Sequence, residues 1–181
     1  FKKSVQGKNA IAEPVISRYT KNLQIVFSVP VYDIDGKIIA VLSAGVPGHG
    51  LSHDIADIVV GKTGNCYIMG LDGVIIGDKD TTLVDDMVNI VSKGKLDKTF
   101  ASVGKFLEKA LSNNKSEVGY YEYKGIEYMG SYAKMQSTGW TVVIRAPKGE
   151  FLDAVRTLTF SMTGTSLVLS VVLLLIVYFL A

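Results

Sequence analysis

Cysteine is nearly absent: Cys66 is the one example in 181 residues. That excludes an intrachain disulfide framework and any zinc cluster built on thiolates. Proline (four), histidine (two) and tryptophan (one) are also scarce. Nor is there an excess of one charge, since 19 Lys and Arg stand against 17 Asp and Glu. Such a balance offers no general polyanion-binding surface, so nucleic acid is not an expected partner. At about 150 residues per domain, the length allows one or two small domains. The chain opens on Phe1 with neither a basic stretch nor an apolar run behind it. No signal peptide is read there, and the sequence is expected to be the C-terminal part of something longer.

Charge then disappears from the end of the chain. After Arg156 there is no Asp, Glu, Lys, Arg or His, and Leu167 to Ala181 is dense in Leu and Val. From Leu158 onward a helix would reach roughly 36 Å at 1.5 Å per residue, enough for a ~30 Å hydrocarbon core. A buried core helix would carry a polar face, and this run has none. One membrane-spanning helix is expected, its orientation unreadable from the flanking charge.

The first 150 or so residues alternate short β patterns with two or three helices. Leu23 to Val31 and Lys37 to Val46 flank Asp33-Ile34-Asp35-Gly36, which reads as a hairpin turn. Leu51 to Val60 spaces Leu51, Ile55, Ile58 and Val59 as a helix would. Cys66 to Met69 and Val74 to Gly77 flank Asp72-Gly73, a second hairpin. Thr99 to Asn113 puts Phe100, Val103, Phe106, Leu107, Ala110 and Leu111 on one helical face. Glu117 to Tyr123, Ile126 to Lys134 and Trp140 to Ala146 follow without a crossover helix, so they predict an antiparallel meander. Pro147 should close the sheet, and a helix should start near Lys148. Phe27 to Pro47 resembles Met129 to Pro147, each a strand pair leading into a helix.

The motifs that invite a chemical reading mostly have simpler ones. Gly61-Lys62-Thr63 suggests a phosphate loop, but position 56 is Ala and the helix precedes it where a strand is required. A helix end and turn, with Gly61 left-handed, is the simpler reading. His49 and His53 have metal-ligand spacing, but Gly50 stands where a zinc protease would carry Glu, and no third ligand is near. Asp33 and Asp35 begin like a calcium loop whose twelfth position is Ala44. Ser52, His53 and Asp54 are sequence neighbours, which do not face each other on a helix. Cys66 reads as a small core residue. No catalytic constellation, metal or cofactor site is expected. Tyr120, Tyr121, Tyr123, Tyr128, Tyr132 and Trp140 read as cross-strand packing, with a stacking wall for a small ligand as the alternative.

Three strings carry a family resemblance. Gly61-Lys62-Thr63-Gly64-Asn65-Cys66-Tyr67-Ile68-Met69 with Leu71-Asp72-Gly73-Val74-Ile75-Ile76-Gly77 resembles the opening hairpin of a Cache sensor module. Gly139-Trp140-Thr141-Val142-Val143-Ile144-Arg145-Ala146-Pro147-Lys148 resembles its closing strand. Phe1 to Ser17, then Phe27-Ser28-Val29-Pro30-Val31-Tyr32-Asp33, resembles the second half of the membrane-distal module of a double Cache domain. The chain is most similar to the ectodomain of bacterial methyl-accepting chemotaxis proteins.

The resemblance implies an α+β fold: a PAS-like antiparallel sheet flanked by helices, followed by one transmembrane helix. Residues 1–56 would close the distal module, 57–150 would form the proximal module, and 151–181 the juxtamembrane and spanning helix. It also implies a homodimeric, non-enzymatic small-ligand sensor outside a bacterial cell membrane, driving a chemotaxis signalling domain. The same sensor could instead drive a histidine kinase or diguanylate cyclase; a membrane-tethered enzyme is disfavoured. A subset of the family binds amino acids through a tyrosine-x-aspartate pair and a later aspartate. By position these places hold Val15, Ser17 and Gly45, so the carboxylates that would grip an ammonium are absent. Arg18 is the remaining candidate, for an anionic ligand.

Overall fold

The computed structural model describes residues 1–180 apart from Thr20 and Asn22, and of 153–157, 171–172 and 174–180 the backbone alone. Two antiparallel sheets follow one another along the chain. After a 3-10 turn at Ser4–Gln6, the first sheet holds β1 (Ala10–Ile11), β2 (Val15–Ile16), β3 (Leu23–Tyr32) and β4 (Ile38–Pro47). Strand β3 is central, pairing with β1, β2 and β4. The β3–β4 turn forms as its residues predict: Asp33 Oδ1 accepts from the amides of Asp35 and Lys37 at 3.0 and 2.8 Å.

Helix α1 (Gly50–Ile55) leads into the second sheet. It is shorter than the spacing of apolar residues from Leu51 to Val60 predicts. The β-branched pair Val59–Val60 leaves the helix as strand β5 and joins Asn65 and Gly64 of β6 (Gly64–Met69). Strand β7 is Ile75–Asp78. Helices α2 (Thr81–Asp85), α3 (Ile90–Leu96) and α4 (Lys98–Ser112) follow, then the meander β8 (Glu117–Tyr123), β9 (Ile126–Lys134) and β10 (Thr141–Pro147). The sheet order is β5-β6-β10-β9-β8, with β7 beside β6. Pro147 is the last paired residue of β10, opposite Tyr128, and α5 (Lys148–Leu180) starts immediately after it.

Helices α2 and α3 lack a long apolar period, but their caps mark them. Asp80 accepts from the Thr82 amide at 3.2 Å, Asn89 from Ser92 at 2.9 Å, and Asp97 starts α4 by accepting from Thr99 at 2.8 Å. Where α3 meets α4, a Cβ on Gly94 would lie 2.9 Å from the Gly104 Cα, so the backbones touch.

The second sheet is covered on both faces, which explains why Cys66 to Met69 is apolar without alternation. Tyr67 and Met69 join Val103, Leu107, Tyr132 and Val143 beneath the helices. Cys66 and Ile68 face the other way, with Ile76, Trp140, Ile55 of α1 and Ile25 of β3. Cys66 and Trp140 are therefore core residues, as predicted. Among the described residues no helix is long and apolar enough to cross a membrane. Most of the predicted Leu167 to Ala181 run lies outside the residues whose side chains are described.

Candidate functional site

The three positions carried over from the resemblance, Val15, Ser17 and Gly45, fall in one region of the first sheet. Val15 pairs with Gln24, and the Gln24 carboxamide oxygen lies 3.0 Å from where a Gly45 Cβ would be. Gln24 thus stands between Val15 and Gly45 on the same face. Ser17 follows β2 and accepts the Tyr19 amide at 3.3 Å. Arg18 lies exposed in that turn. Near this end of the sheet opens a cavity of about 510 Å³, lined by Ile16, Lys21, Gln24, Pro47, His49 and Asp85 among others. Neither Val15, Ser17, Arg18 nor Gly45 lines it.

The histidines do not converge on a metal. His49 Nε2 lies 2.6 Å from Asp85 Oδ1, with both side chains about half exposed. Among the described residues no group of three His, Cys, Asp or Glu is placed to hold an ion. Gly61 is left-handed, φ +67°, but strand β5 rather than a helix end precedes it, so its loop is the turn between β5 and β6 and not the helix cap the sequence predicts. What the sequence did not disclose is what sits on that turn. Glu150, in the first turn of α5, accepts from the Lys62 amide at 2.5 Å, from the Thr63 amide at 3.1 Å and from the Thr63 hydroxyl. These donors, the hydroxyl foremost, hold the Glu150 carboxyl below the usual carboxylate range.

The tyrosine-rich strands enclose a side chain of their own. The Arg145 guanidinium stands over the rings of Tyr67, Tyr128 and Tyr123 at 5.2, 5.4 and 5.5 Å, and its Nε donates to Asn65 at 2.9 Å. Phe106 packs against Tyr121 and Tyr132 at 4.8 and 5.5 Å. The aromatic wall is thus filled by protein, which favours the packing reading over a stacking site. Asp78, paired across from Tyr67, is buried there, and that burial raises its carboxyl despite the Asp80 amide it accepts and the nearby guanidinium.

A second unpredicted carboxylate joins the two sheets. Glu13, just before β2, accepts from Trp140 Nε1 at 2.9 Å and from the Leu71 amide at 3.4 Å. A lone Glu ahead of a Pro gives no sequence signal for a contact 127 residues away.

No curated protein matches the chain. Solved structures do, at low identity. The Campylobacter jejuni chemoreceptor Tlp3 ligand-binding domain in complex with 4-methylisoleucine matches with a TM-score of 0.58 and 19% identity, covering 81% of this chain and 51% of that one. The ligand-binding domain of Mlp24 with asparagine gives 0.53 and 18%, covering 80% and 52%. The extracellular domain of the putative histidine kinase mmHK1S-Z3 gives 0.62 and 14%, covering 84% and 54%. The chain spans about half the length of these structures. Antiparallel sheets flanked by helices are the fold the resemblance implied. The Cache domain profile matches residues 1–155, and the chain belongs to the Cache family of ligand-binding sensor domains.

Proposed function

We propose that the chain is the extracytoplasmic small-ligand-sensing part of a homodimeric bacterial chemoreceptor, with α5 continuing through the cell membrane to a cytoplasmic signalling domain. In this reading residues 1–56 belong to a membrane-distal module, 57–150 form the proximal module and 151–181 carry the signal. The observation behind it is the junction at Pro147–Lys148. The central strand β10 passes into a 33-residue helix, about 50 Å long at 1.5 Å per residue. That helix ends in the charge-free Leu- and Val-rich run. The ligand would be a small molecule other than a standard α-amino acid, because Val15, Ser17 and Gly45 offer no carboxylate for an ammonium group. Arg18 makes an anionic ligand the first class to try. No catalytic role belongs to this reading.

A histidine kinase output is the second reading, favoured by the likeness to the extracellular domains of two putative histidine kinases. One experiment tests the relay. A four-residue Gly/Ser insertion after Glu150 in the whole receptor should leave ligand affinity intact and abolish output, because a flexible linker absorbs a shift that a helix transmits. Unchanged output would overturn the relay. Output read as kinase autophosphorylation within the same chain would select the second reading.

A further inference from the structure

Strands β6 and β10 are paired over five positions, from Thr141 opposite Met69 to Arg145 opposite Asn65. Each end of the pair is held by a carboxylate from outside the second sheet. At the Met69–Thr141 end, Glu13 binds the Trp140 indole and the Leu71 amide, the residues that flank the pair. At the Asn65–Arg145 end, Glu150 of α5 binds the Lys62 and Thr63 amides that lead into β6. Both carboxylates rest on a glycine: a Cβ on Gly70 would overlap Glu13 Oε2, and one on Gly61 would press on Glu150 Oε2 at 2.5 Å. Side chains at those two positions would unseat them. Glu13 is carried by the segment between β1 and β2, so it moves with the first sheet. Glu150 is carried by the helix that leaves the second.

We propose that the β6–β10 pair is a coupling rod, through which Glu13 and Glu150 tie the position of the first sheet to that of α5. This deepens the sensor reading by naming the contacts that would carry the signal. The rod is stiff for local reasons. Its pairing is uninterrupted, its two faces lie in two separate cores, and the Arg145 guanidinium pins its α5 end among three tyrosine rings. Held in register by β9 on one side and by β5 and β7 on the other, the pair moves with its sheet as a stiff body, so a shift at Trp140 is delivered at Glu150. Each clamp is a set of charge-assisted hydrogen bonds, short in reach and lost by small displacements.

The test is amide hydrogen exchange on the whole chain, which requires neither ligand nor output. It therefore succeeds or fails independently of the sensor reading. Glu13→Gln should speed exchange at Lys62 and Thr63, at the far end, by about threefold or more, the scale of coupling through a packed network. Glu150→Gln should do the same at Leu71. Gly70→Ala, which keeps Glu13 but unseats it, should reproduce the Glu13→Gln pattern. Acceleration confined to the mutated end would overturn the proposal. So would acceleration spread evenly over the second sheet, since Glu13 would then act on general stability alone.

Discussion

The two sheets differ in how far each completes its own core. The second sheet is closed by α3 and α4 on one face and by α1 and β3 on the other, and Tyr67, Met69, Val103, Leu107, Thr141 and Val143 are essentially inaccessible. Strands β3 and β4 of the first sheet are ten residues each and largely apolar, yet Ile39 and Leu42 are 62% and 63% exposed and Phe27 is 40% exposed. Ile25 and Ser28 are its buried strand positions, one covered by the second sheet and the other bonded at 2.8 Å to Ser4 of the 3-10 turn. Apolar strands thus commit a segment to a sheet, but stability comes from what covers it. The second sheet builds most of its own core and takes Ile25 from the first, which meets it through Ile25, Glu13 and Trp140.

The contrast is sharpest in truncations. Trp140→Ala removes a side chain only 4% exposed that bridges both sheets, and should destabilise by about 3–5 kcal/mol. Leu42→Ala in the first sheet should stay within about 0.5 kcal/mol. Chemical denaturation of the two variants checks this, and equal losses would break the comparison. Overpacking comes next. A methyl on Gly104 would sit 3.0 Å from the Gly94 Cα, with backbone rather than a flexible side chain opposite it. Gly104→Ala should therefore cost about 1–3 kcal/mol by the same assay. Gly149→Ala, with open space around it, should not destabilise.

Two carboxylates should respond to acid with opposite signs. The Glu150 carboxyl is lowered by its Thr63 and Lys62 donors, so its contribution is present above the ordinary carboxylate range and is lost as pH falls through its folded value. Asp78 is raised by burial, so its ionisation opposes folding above that range, and acid relieves the penalty. Glu150→Gln should flatten part of the acid loss of stability, whereas Asp78→Asn should steepen it. Thermal melts between pH 3 and 7, the span of the carboxylate range, decide this, and identical profiles for both variants would refute the assignment. The smallest effect is at Cys66. Burial, helped by nearby Asp78, raises its thiol, so labelling by a thiol reagent in the folded chain should be far slower than after denaturation. Rapid labelling of the native chain would mean that the core beneath α1 opens.

The hairpins, the meander and α4 were legible because each depends on neighbours in sequence. Period-two apolar runs, the turns at Asp33–Gly36 and Asp72–Gly73, and the face of Phe100, Val103 and Leu107 specify their elements locally. Helices α2 and α3 were not read from the sequence, because their caps Asp80 and Asn89 are signals too short to stand out without the tertiary contacts that bury Val84, Ile90 and Val91. The α1 boundary moved because Val59 and Val60 meet a strand partner in β6, and a ladder outweighs a weak helical period.

The candidate site divides along the same line. That Val15, Ser17 and Gly45 lack carboxylates was determined by the sequence, as was the charge-free end after Arg156. That Gln24 stands between Val15 and Gly45, that Arg145 fills the tyrosine wall, and that Glu13 and Glu150 grip opposite ends of one strand pair were decided by the tertiary structure. The reason is separation: Glu13 and Trp140 are 127 residues apart and Glu150 and Thr63 are 87. A carboxylate's partners at such range depend on how sheets and helices are packed, which local periodicity does not encode.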